Sequence, residues 1–467
     1  MNPIIQITKD QFDNIKKAKN KLTNFFIPQR ISKAPLKRSM SGYETEQFVL
    51  DSKGKIDNSD NLYKKAISQG IDVQKECAKS MIEMSCFPSK RLKTSSQSLL
   101  DNHIALNDLA NKNNLHLFPF GTYFGKQIPV FRRNKWYTIK GKILTPEKWR
   151  YAGLCTGVHQ HYALPRGLFD KKTKMIKQMN KSKINKTLID SYNFMTALDP
   201  ILTVFAQSTP YIDGKFLGKD SRVIAYRGGS FLDYKQGLYS KHRLYGALSP
   251  YKSTVRDLVS TQKRRYEKFK TLVRKAGYNP DELMNDKEIL KYNWSPVKLN
   301  PHGTLEYRGY DMNYMSNIFA ISTLLKFSLR EIQQNFKMVV PLDMDSSESF
   351  KVEGNLIFVP PFSSVTKLQK LSAYKGLADD DVYNYAKKFV NFAKDITNSD
   401  YQQMLNPVLN MLEERKTMSD EIYNYFRKKG CAKEPDKKTL QEAALHFSEI
   451  YYKDLFKVKE KLYKAQD

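Results

Sequence analysis

Two glutamates near the start of the chain, Glu44 and Glu46, have the spacing of a metal-binding pair. They lie in the segment Gly42–Leu50, whose pattern predicts a β-strand. Residues two apart on a strand project from the same face, so both carboxylates point the same way. Two adjacent carboxylates repel each other unless a cation lies between them, and oxygen ligands suit Mg²⁺ or Mn²⁺. The alternative is a pair of solvated glutamates on an exposed strand face.

A second acidic pair, Glu76 and Glu83, follows in the next segment. Glu83 lies within an apolar run, where an unpaired carboxylate is costly unless a cation or a metal compensates it. Glu76 precedes it by seven residues. If the chain turns between them, both side chains face one site. A salt-bridged Glu83 explains the pattern equally well.

Two histidines, His159 and His161, lie in the segment Cys155–Leu164, which reads as a strand. That spacing puts both imidazoles on one face, where they can bind a metal or an anionic phosphate. A His-x-His pair alone is weak evidence, since structural histidines are common.

A third strand pattern aligns Thr304, Glu306 and Arg308 on one face. A carboxylate beside a guanidinium is either a plain salt bridge or a site that holds a metal and the phosphate served by that metal. Arg222 and Arg227 add two planar guanidinium groups, each of which can bind a carboxylate or a phosphate through two hydrogen bonds.

The elements that must position these residues are short strands in the first two thirds of the chain and helices at its end. This is an α+β pattern without β-α-β alternation, so a doubly wound nucleotide fold is not favoured. We expect Pro200 to kink or interrupt the helix that contains it. The predicted elements are strands at Gln47–Leu50 and Leu115–Phe120, helices at Leu99–Asn113, Ile184–Gln207 and Met312–Phe336, a hairpin at Phe350–Val359, and helices throughout Val382–Asp467 with Gly430 as a C-cap.

Composition excludes several classes of protein. The 467 residues contain 40% hydrophobic residues, so the chain is globular, and its four cysteines are too few for a disulfide scaffold. It has no long apolar run and no signal-like N-terminus, which predicts a cytoplasmic protein. The net charge of +30 suits polyanionic partners, although drift in an AT-rich genome explains it as well. Gly214–Asp220 lacks the spacing of a phosphate-binding P-loop.

The order of the motifs is more specific than any single motif. A Glu-x-Glu strand, two acidic residues seven apart, Gly121-Thr122, a Gly-x-His strand and Thr-x-Glu-x-Arg together resemble the glutamate–cysteine ligase family. The sequence is most similar to the type 2, carboxylate–amine ligase branch of the glutamine synthetase superfamily. The likeness covers most of the chain, from about Ser41 to Gly430.

Further segments support this resemblance, and one departs from it. Residues 196–202 and 207–214 are similar to a helix and a Ser-x-Ser-Pro-Phe segment of the family. Tyr123 and Phe124 stand where the family has His-Pro after Gly-Thr, a change that affects the substrate edge of the site.

The resemblance implies a glutamine synthetase-like α+β fold. Its curved antiparallel sheet forms a funnel-like active site, flanked by helices and followed by a helical C-terminal region. The expected domains are a basic N-terminal extension (1–40), the catalytic domain (41–340) and a helical C-terminal region packed on it (341–467).

The resemblance also implies a role for each motif residue. Arg308 contacts the transferred phosphate together with Glu306, and Arg222 or Arg227 holds a substrate carboxylate. His161 corresponds to a substrate-binding position. The implied metal ligands are Glu44, Glu46, Glu76, Glu83, His159 and Glu306.

The implied reaction joins the side-chain carboxylate of glutamate to the amine of cysteine through a γ-glutamyl phosphate, with ATP and Mg²⁺ (or Mn²⁺) as cofactors. The expected partners are these small molecules, with no membrane and no specific nucleic acid, and a homo-oligomer remains open. The alternatives are a ligase for another amine, guanidino phosphotransfer, a catalytically inactive relative and a basic nucleic-acid-binding protein.

Overall fold

The computed structural model of the protein describes residues 40–177, 182–342 and 348–464. The predicted N-terminal extension therefore lies outside the described residues, apart from Met40. Strands β1–β14 span Ser41–Leu50, Val73–Lys75, Met81–Ser85, His116–Phe118, Gly157–Ala163, Phe169–Asp170, Met175–Ile176, Tyr211–Ile212, Lys215–Phe216, Val297–Asn300, Thr304–Asp311, Met338–Pro341, Val352–Glu353 and Leu356–Val359. Helices α1–α15 span Asp60–Ser68, Leu92–Asn111, Lys135–Leu144, Pro146–Trp149, Lys183–Ala206, Ser221–Arg227, Arg243–Gly246, Val255–Lys275, Pro280–Leu283, Met315–Asn335, Phe362–Lys375, Asp380–Ile396, Asn406–Glu414, Met418–Lys428 and Lys437–Lys464.

The central sheet positions the candidate site. Within the described residues it has seven strands, in the order β10-β11-β5-β1-β3-β2, with β4 also paired to β1. All of its pairs are antiparallel. The register of β11 against β5 shifts between Tyr307 and Tyr310, a β-bulge beside Arg308. The predicted α+β class with an antiparallel sheet and a helical C-terminus is confirmed.

The two faces of β1 have different surroundings. On one face, Tyr43 packs against Phe319 of α10, with ring centroids 6.1 Å apart. Thr45, on the same face, hydrogen-bonds to His103 of α2. The glutamates of β1 project from the opposite face, as strand alternation predicts. The sheet therefore has one face in the core and one face that is free to carry chemistry.

Helix α5 corrects one prediction. It runs from Lys183 to Ala206 as a single helix that contains Pro200, so the expected interruption is wrong. The proline removes one backbone donor, but every residue from Thr187 to Ala206 is buried. Packing on all sides holds this helix together in spite of the proline.

The later predictions agree with the structure except at one helix end. β13 and β14 form the predicted antiparallel hairpin around Gly354, and β14 also pairs in parallel with β12. The C-cap of α14 is Lys429 rather than the predicted Gly430, which follows it with a φ of 74°.

One hydrophobic cluster takes in residues from Tyr43 to Leu462. It joins the predicted catalytic and C-terminal regions in a single core. A second sheet, of three strands in the order β12-β14-β13, also crosses the predicted boundary at residue 341. None of the helices within the described residues is long and apolar enough to cross a membrane.

Candidate active site

Cross-strand pairing aligns the predicted site residues on one face of the central sheet. Glu44 pairs with His159 across β1 and β5, and Glu46 pairs with Glu83 across β1 and β3. Glu306 of β11 pairs with His161 of β5. Directly opposite residues in an antiparallel pair share a face, so four separate sequence motifs meet on one surface.

The first ligand group consists of Glu44, His161 and Glu306. One ligand atom from each residue lies within 4.8 Å of the others. The His161 Nδ1 atom hydrogen-bonds to the Thr304 hydroxyl at 2.9 Å, which fixes the orientation of the ring. Its Nε2 atom is buried and lies 3.3 Å from Glu44 Oε1. An imidazole nitrogen beside a carboxylate, on a ring held through its other nitrogen, is an arrangement that can bind a metal.

The second ligand group consists of Glu46, Glu76 and Glu83, again within 4.8 Å of one another. β2 and β3 pair as a hairpin, so the chain turns between Glu76 and Glu83 as the sequence suggested. Burial and the nearby Glu76 carboxylate raise the pKa of both Glu46 and Glu83. The Gly157 amide donates to Glu46 at 2.9 Å. Three converging carboxylates need a proton or a cation to offset their mutual repulsion.

Glu306 has the opposite electrostatic environment. It is fully buried and accepts hydrogen bonds from Arg308 and Asn300, and the Lys298 ammonium lies 3.5 Å from its Oε2 atom. Burial alone would raise the pKa of Glu306, but Lys298 and Arg308 hold it well below its usual range. Burial alone would lower the pKa of Arg308, but the neighbouring Glu306 carboxylate raises it.

His159 lies between the two ligand groups. Its Nδ1 atom is 3.0 Å from Glu44 Oε2, and its Nε2 atom is 3.7 Å from Glu46 Oε1. Burial, followed by the nearby Arg308 guanidinium, lowers the pKa of His159. Burial would raise the pKa of Glu44, but its hydrogen bonds with the two histidines hold it well below its usual range. His159 thus contacts ligands of both groups, whereas His161 is a member of the first.

The two candidate substrate arginines differ in their partners. Arg227 forms a fork-to-fork ion pair with the buried Asp199. Arg222 donates to the carbonyl oxygens of Arg308 and Gly309, each at 3.3 Å, and its Nε atom has no partner. Both arginines line a small cavity, whose other walls are Val223, Tyr226, Gly246, Trp294, Pro296 and Arg308. Arg222 has a longer contact with an acid, 3.9 Å from its Nη1 atom to Asp311 Oδ1, so it is less firmly paired than Arg227.

A larger cavity of about 480 Å³ opens at the other end of the same face. Glu44 and His161 of the first ligand group form its inner wall. The loop Ala163–Gly167, Phe169 and Thr304 form much of the remainder. The two cavities lie on either side of the ligand groups, one toward Thr304 and one toward Arg308.

Sequence reasoning missed Lys298 and Asn300. They lie on β10, and Lys298 is the cross-strand neighbour of Glu306. The stretch Val297-Lys298-Leu299 does contain a signal, namely a lysine between two buried apolar residues. A lysine at the inward side of a strand is expected only where a carboxylate or phosphate compensates its charge.

No protein-family model matches the sequence, and no curated protein matches it. Solved structures do match in fold. A bifunctional glutathione synthetase from Pasteurella multocida aligns with a TM-score of 0.56 and 12% identity over 94% of this chain and 54% of that protein. A glutamate–cysteine ligase from Francisella tularensis in complex with AMP aligns with a TM-score of 0.48 and 12% identity over 91% of this chain and 92% of that one. The ligase PafA in complex with the prokaryotic ubiquitin-like protein Pup aligns with a TM-score of 0.36 and 12% identity over 86% of this chain and 71% of that one.

The first comparison establishes the fold. This chain shares the fold of the glutathione synthetase and spans about half of its length. The resemblance that the sequence motifs suggest is therefore confirmed at the level of the fold.

Proposed function

We propose that this chain is an ATP-dependent ligase that joins the side-chain carboxylate of glutamate to the amine of cysteine. The observation that carries the proposal is the pair of ligand groups on one sheet face, flanked by Arg308 and Lys298. Activation of a carboxylate by ATP requires a site that neutralises phosphate charge during transfer. The shared fold supports the ligase class, and the motif resemblance supports glutamate and cysteine.

The two ligand groups fit divalent cations. Glu46, Glu76 and Glu83 offer only carboxylate oxygens, which suit Mg²⁺ or Mn²⁺. The first group adds the Nε2 atom of His161 beside Glu44, a donor more suited to Mn²⁺ than to Mg²⁺. Bound cations would neutralise the charge on the phosphates of ATP. His159, which contacts a member of each group, would orient the ligands between the two positions.

Arg308 would bind the transferred phosphoryl group. Its only acidic partner within 4 Å among the described residues is Glu306, and it lines the small cavity beside the β-bulge. Lys298 would add a second positive charge to the same phosphate region. Two fixed cations beside the reacting phosphate stabilise the charge that develops during transfer without reorganisation.

The two cavities provide for the two ends of the reaction. ATP would occupy the cavity of about 480 Å³ beside Glu44 and His161. The α-carboxylate of the glutamate substrate would lie against Arg222, in the wall of the small cavity of about 20 Å³, rather than on Arg227, which is already paired with Asp199. Phosphorylation of the glutamate side chain gives an acyl phosphate, and attack by the amine releases phosphate and forms the amide.

The test is ADP formation by the purified protein with Mg²⁺, ATP and glutamate, with and without cysteine. We expect cysteine-dependent ADP formation that is lost in Glu306→Gln and kept in Glu414→Gln, an exposed glutamate on α13. ADP formation with glutamate and another amine, but not with cysteine, would retain the ligase and reject cysteine. Failure to form ADP with any amine would reject the proposal.

A further inference from the structure

Helix α3 places a cation beside the candidate site that no motif predicted. The Lys140 ammonium lies 4.5 Å from the ring centroid of Trp294 and 5.8 Å from that of Trp149. Trp294 lines the small cavity together with Arg222 and Arg308. The Lys140 side chain is half-buried. An aromatic face holds an ammonium in place without neutralising its charge.

The charges around Lys140 show where its ammonium lies. Burial lowers the pKa of Lys140 to about 8, and the groups that act on its charge are Cys77, Glu76, Arg308 and Lys298. These groups belong to the second ligand group, to the loop beside it and to the phosphate-facing strands. Lys140 is therefore near enough to the second ligand group and to Arg308 for their charges to act on it.

Lys140 also differs from the other cations of this region in its partners. Arg132 pairs with Asp60, Arg150 with Asp213 and Arg227 with Asp199. Lys298 and Arg308 share Glu306. Within the described residues, Lys140 makes no hydrogen bond and no ion pair, only its contacts with the two tryptophan rings. A half-buried ammonium without an anionic partner, beside a substrate cavity, is a ready site for a substrate anion.

Tyr137 belongs to the same surface. It lies three residues before Lys140 on α3, so both side chains project from one side of the helix. Burial, followed by the nearby Glu76 carboxylate, raises the pKa of the Tyr137 hydroxyl. Its ring lies 6.3 Å from that of Trp149. Tyr137, Lys140, Trp149 and Trp294 thus form an aromatic wall with one free positive charge, which we call the α3 wall.

We propose that the α3 wall binds the amine substrate and that Lys140 binds a carboxylate carried by that substrate. The inference rests on the proposed function and names a residue that would recognise its amine substrate. In the proposed function, Arg308, Lys298 and the two ligand groups already compensate the charge of the phosphates. Arg222 binds the carboxylate of the first substrate, glutamate. The anion left for Lys140 is a carboxylate on the attacking molecule. The amine is then an amino acid or a peptide with a free carboxylate, and not a simple amine.

The test compares ligands that differ only in the carboxylate. The three pairs are cysteine with cysteamine, alanine with ethylamine, and glycine with methylamine. Binding is followed by tryptophan fluorescence, because the three tryptophans of the chain include the two in the α3 wall, and Trp136 lies on α3 itself. The full chain is titrated in Mg²⁺ with glutamate and a non-hydrolysable ATP analogue, so no turnover is needed.

We expect the wild type to bind the amino acid of at least one pair about 10- to 100-fold more tightly than its decarboxylated partner, the range for a charge-assisted contact. Lys140→Met should abolish that ratio by weakening only the amino acid, and Lys140→Arg should restore most of it. Lys142→Met is the matched control, since Lys142 lies on the same helix and contacts the ring of Tyr278 instead. It should leave the ratio unchanged.

Three results would overturn the inference: equal binding of both members of every pair, no binding of any amino acid, or equal weakening of both members by Lys140→Met. The last result would make Lys140 a purely structural residue. Failure of this inference can be distinguished from failure of the proposed function. A chain that discriminates by fluorescence but never forms ADP loses the ligase proposal, whereas one that forms ADP as readily with cysteamine as with cysteine loses only the role of Lys140.

Discussion

At the scale of residues, the two ligand groups differ in how the negative charge of their carboxylates is compensated. Glu306 is surrounded by Arg308, Lys298 and Asn300, so its charge is compensated within the protein. Glu46 and Glu83 face Glu76, and their raised pKa shows that a proton or a cation must compensate them. The first group is thus already compensated within the fold, whereas the second depends on an added cation.

This contrast predicts opposite effects of two similar substitutions on the metal-free protein. Glu306→Gln leaves two buried cations without a carboxylate and should lower the free energy of unfolding by about 2–4 kcal/mol. Glu83→Gln removes one of three repelling carboxylates and should raise it by about 1 kcal/mol. Urea unfolding in the presence of a chelator measures both values. Destabilisation by both variants to the same extent would contradict the contrast, and Glu414→Gln serves as the neutral control.

Arg308 allows a kinetic prediction at the same scale. Arg308→Lys keeps one positive charge but loses the planar fork, so it should lower kcat by about 10²- to 10³-fold, as removal of a charge-stabilising donor does. The KM for ATP should change much less, because the cavity beside Glu44 is untouched. Steady-state ADP formation measures both constants. Arg330→Lys, at an exposed position on α10, is the control, and a change confined to KM would assign Arg308 to ground-state binding.

At the scale of elements, a buried hydrogen-bond network holds β1 on the face opposite Glu44 and Glu46. The Thr45 hydroxyl donates to the Met84 carbonyl at 3.4 Å and lies 2.9 Å from His103 Nε2, and His103 Nδ1 lies 2.7 Å from the Tyr451 hydroxyl. Burial lowers the pKa of His103 to about 3, so the ring is neutral. The consistent assignment has Nε2 donating to Thr45 and Nδ1 accepting from Tyr451. The last helix of the chain thereby holds the strand that carries Glu44 and Glu46.

Tyr451→Phe tests this network. The substitution leaves His103 Nδ1 buried without a donor, which should cost about 1–3 kcal/mol of stability. Thermal or urea unfolding measures the loss. Tyr452→Phe, at the next position of the same helix, removes a half-exposed hydroxyl and should cost less. Equal losses in the two variants would argue against a special role for the buried network.

The contact between α5 and β12 predicts a dependence on pH. Asp190 of α5 accepts a hydrogen bond from the Val339 amide at 2.9 Å, and burial raises its pKa to about 7. A carboxyl group with a raised pKa in the folded state binds its proton more tightly than in the unfolded chain. Its contribution is therefore complete below about pH 4 and is lost as the pH rises toward 7.

Asp190→Asn removes this ionisation but keeps the oxygen that accepts from Val339. Relative to the wild type, the variant should gain about 2 kcal/mol of stability between pH 5 and pH 8. Urea unfolding at several pH values measures the difference. A constant difference between the two proteins across that range would show that Asp190 does not titrate there.

The elements also show what the sequence can predict. Alternation alone places Glu44, Glu46, His159, His161 and Glu306 on single strand faces, because a strand repeats every two residues. Which strands are neighbours depends on contacts between distant segments, which no local pattern contains. For the same reason, the pairing of Arg227 with Asp199 and the position of Lys140 over Trp294 were not predictable. Helix α5 continues through Pro200 because tertiary packing overrides the local preference.

At the scale of the whole molecule, one core links the site to the C-terminal helices. The hydrophobic cluster that includes Tyr43 also includes Leu462, so the strands that carry the ligands are packed on helices from the end of the chain. We therefore expect the described part of the chain to unfold in a single cooperative transition. Binding at the ligand groups is then reported by the stability of the whole protein.

This coupling gives the last prediction, that Mn²⁺ raises the melting temperature of the whole chain. A cation that binds only the folded state stabilises it by about 2.7 kcal/mol at 100 times its Kd, which corresponds to a few degrees for a chain of this size. The double variant Glu46→Gln/Glu83→Gln should lose most of this increase, because it removes two of the three carboxylates in the uncompensated group. Glu414→Gln should keep all of it. Differential scanning calorimetry at several Mn²⁺ concentrations measures the shift, and an equal shift in the wild type and the double variant would place cation binding elsewhere on the protein.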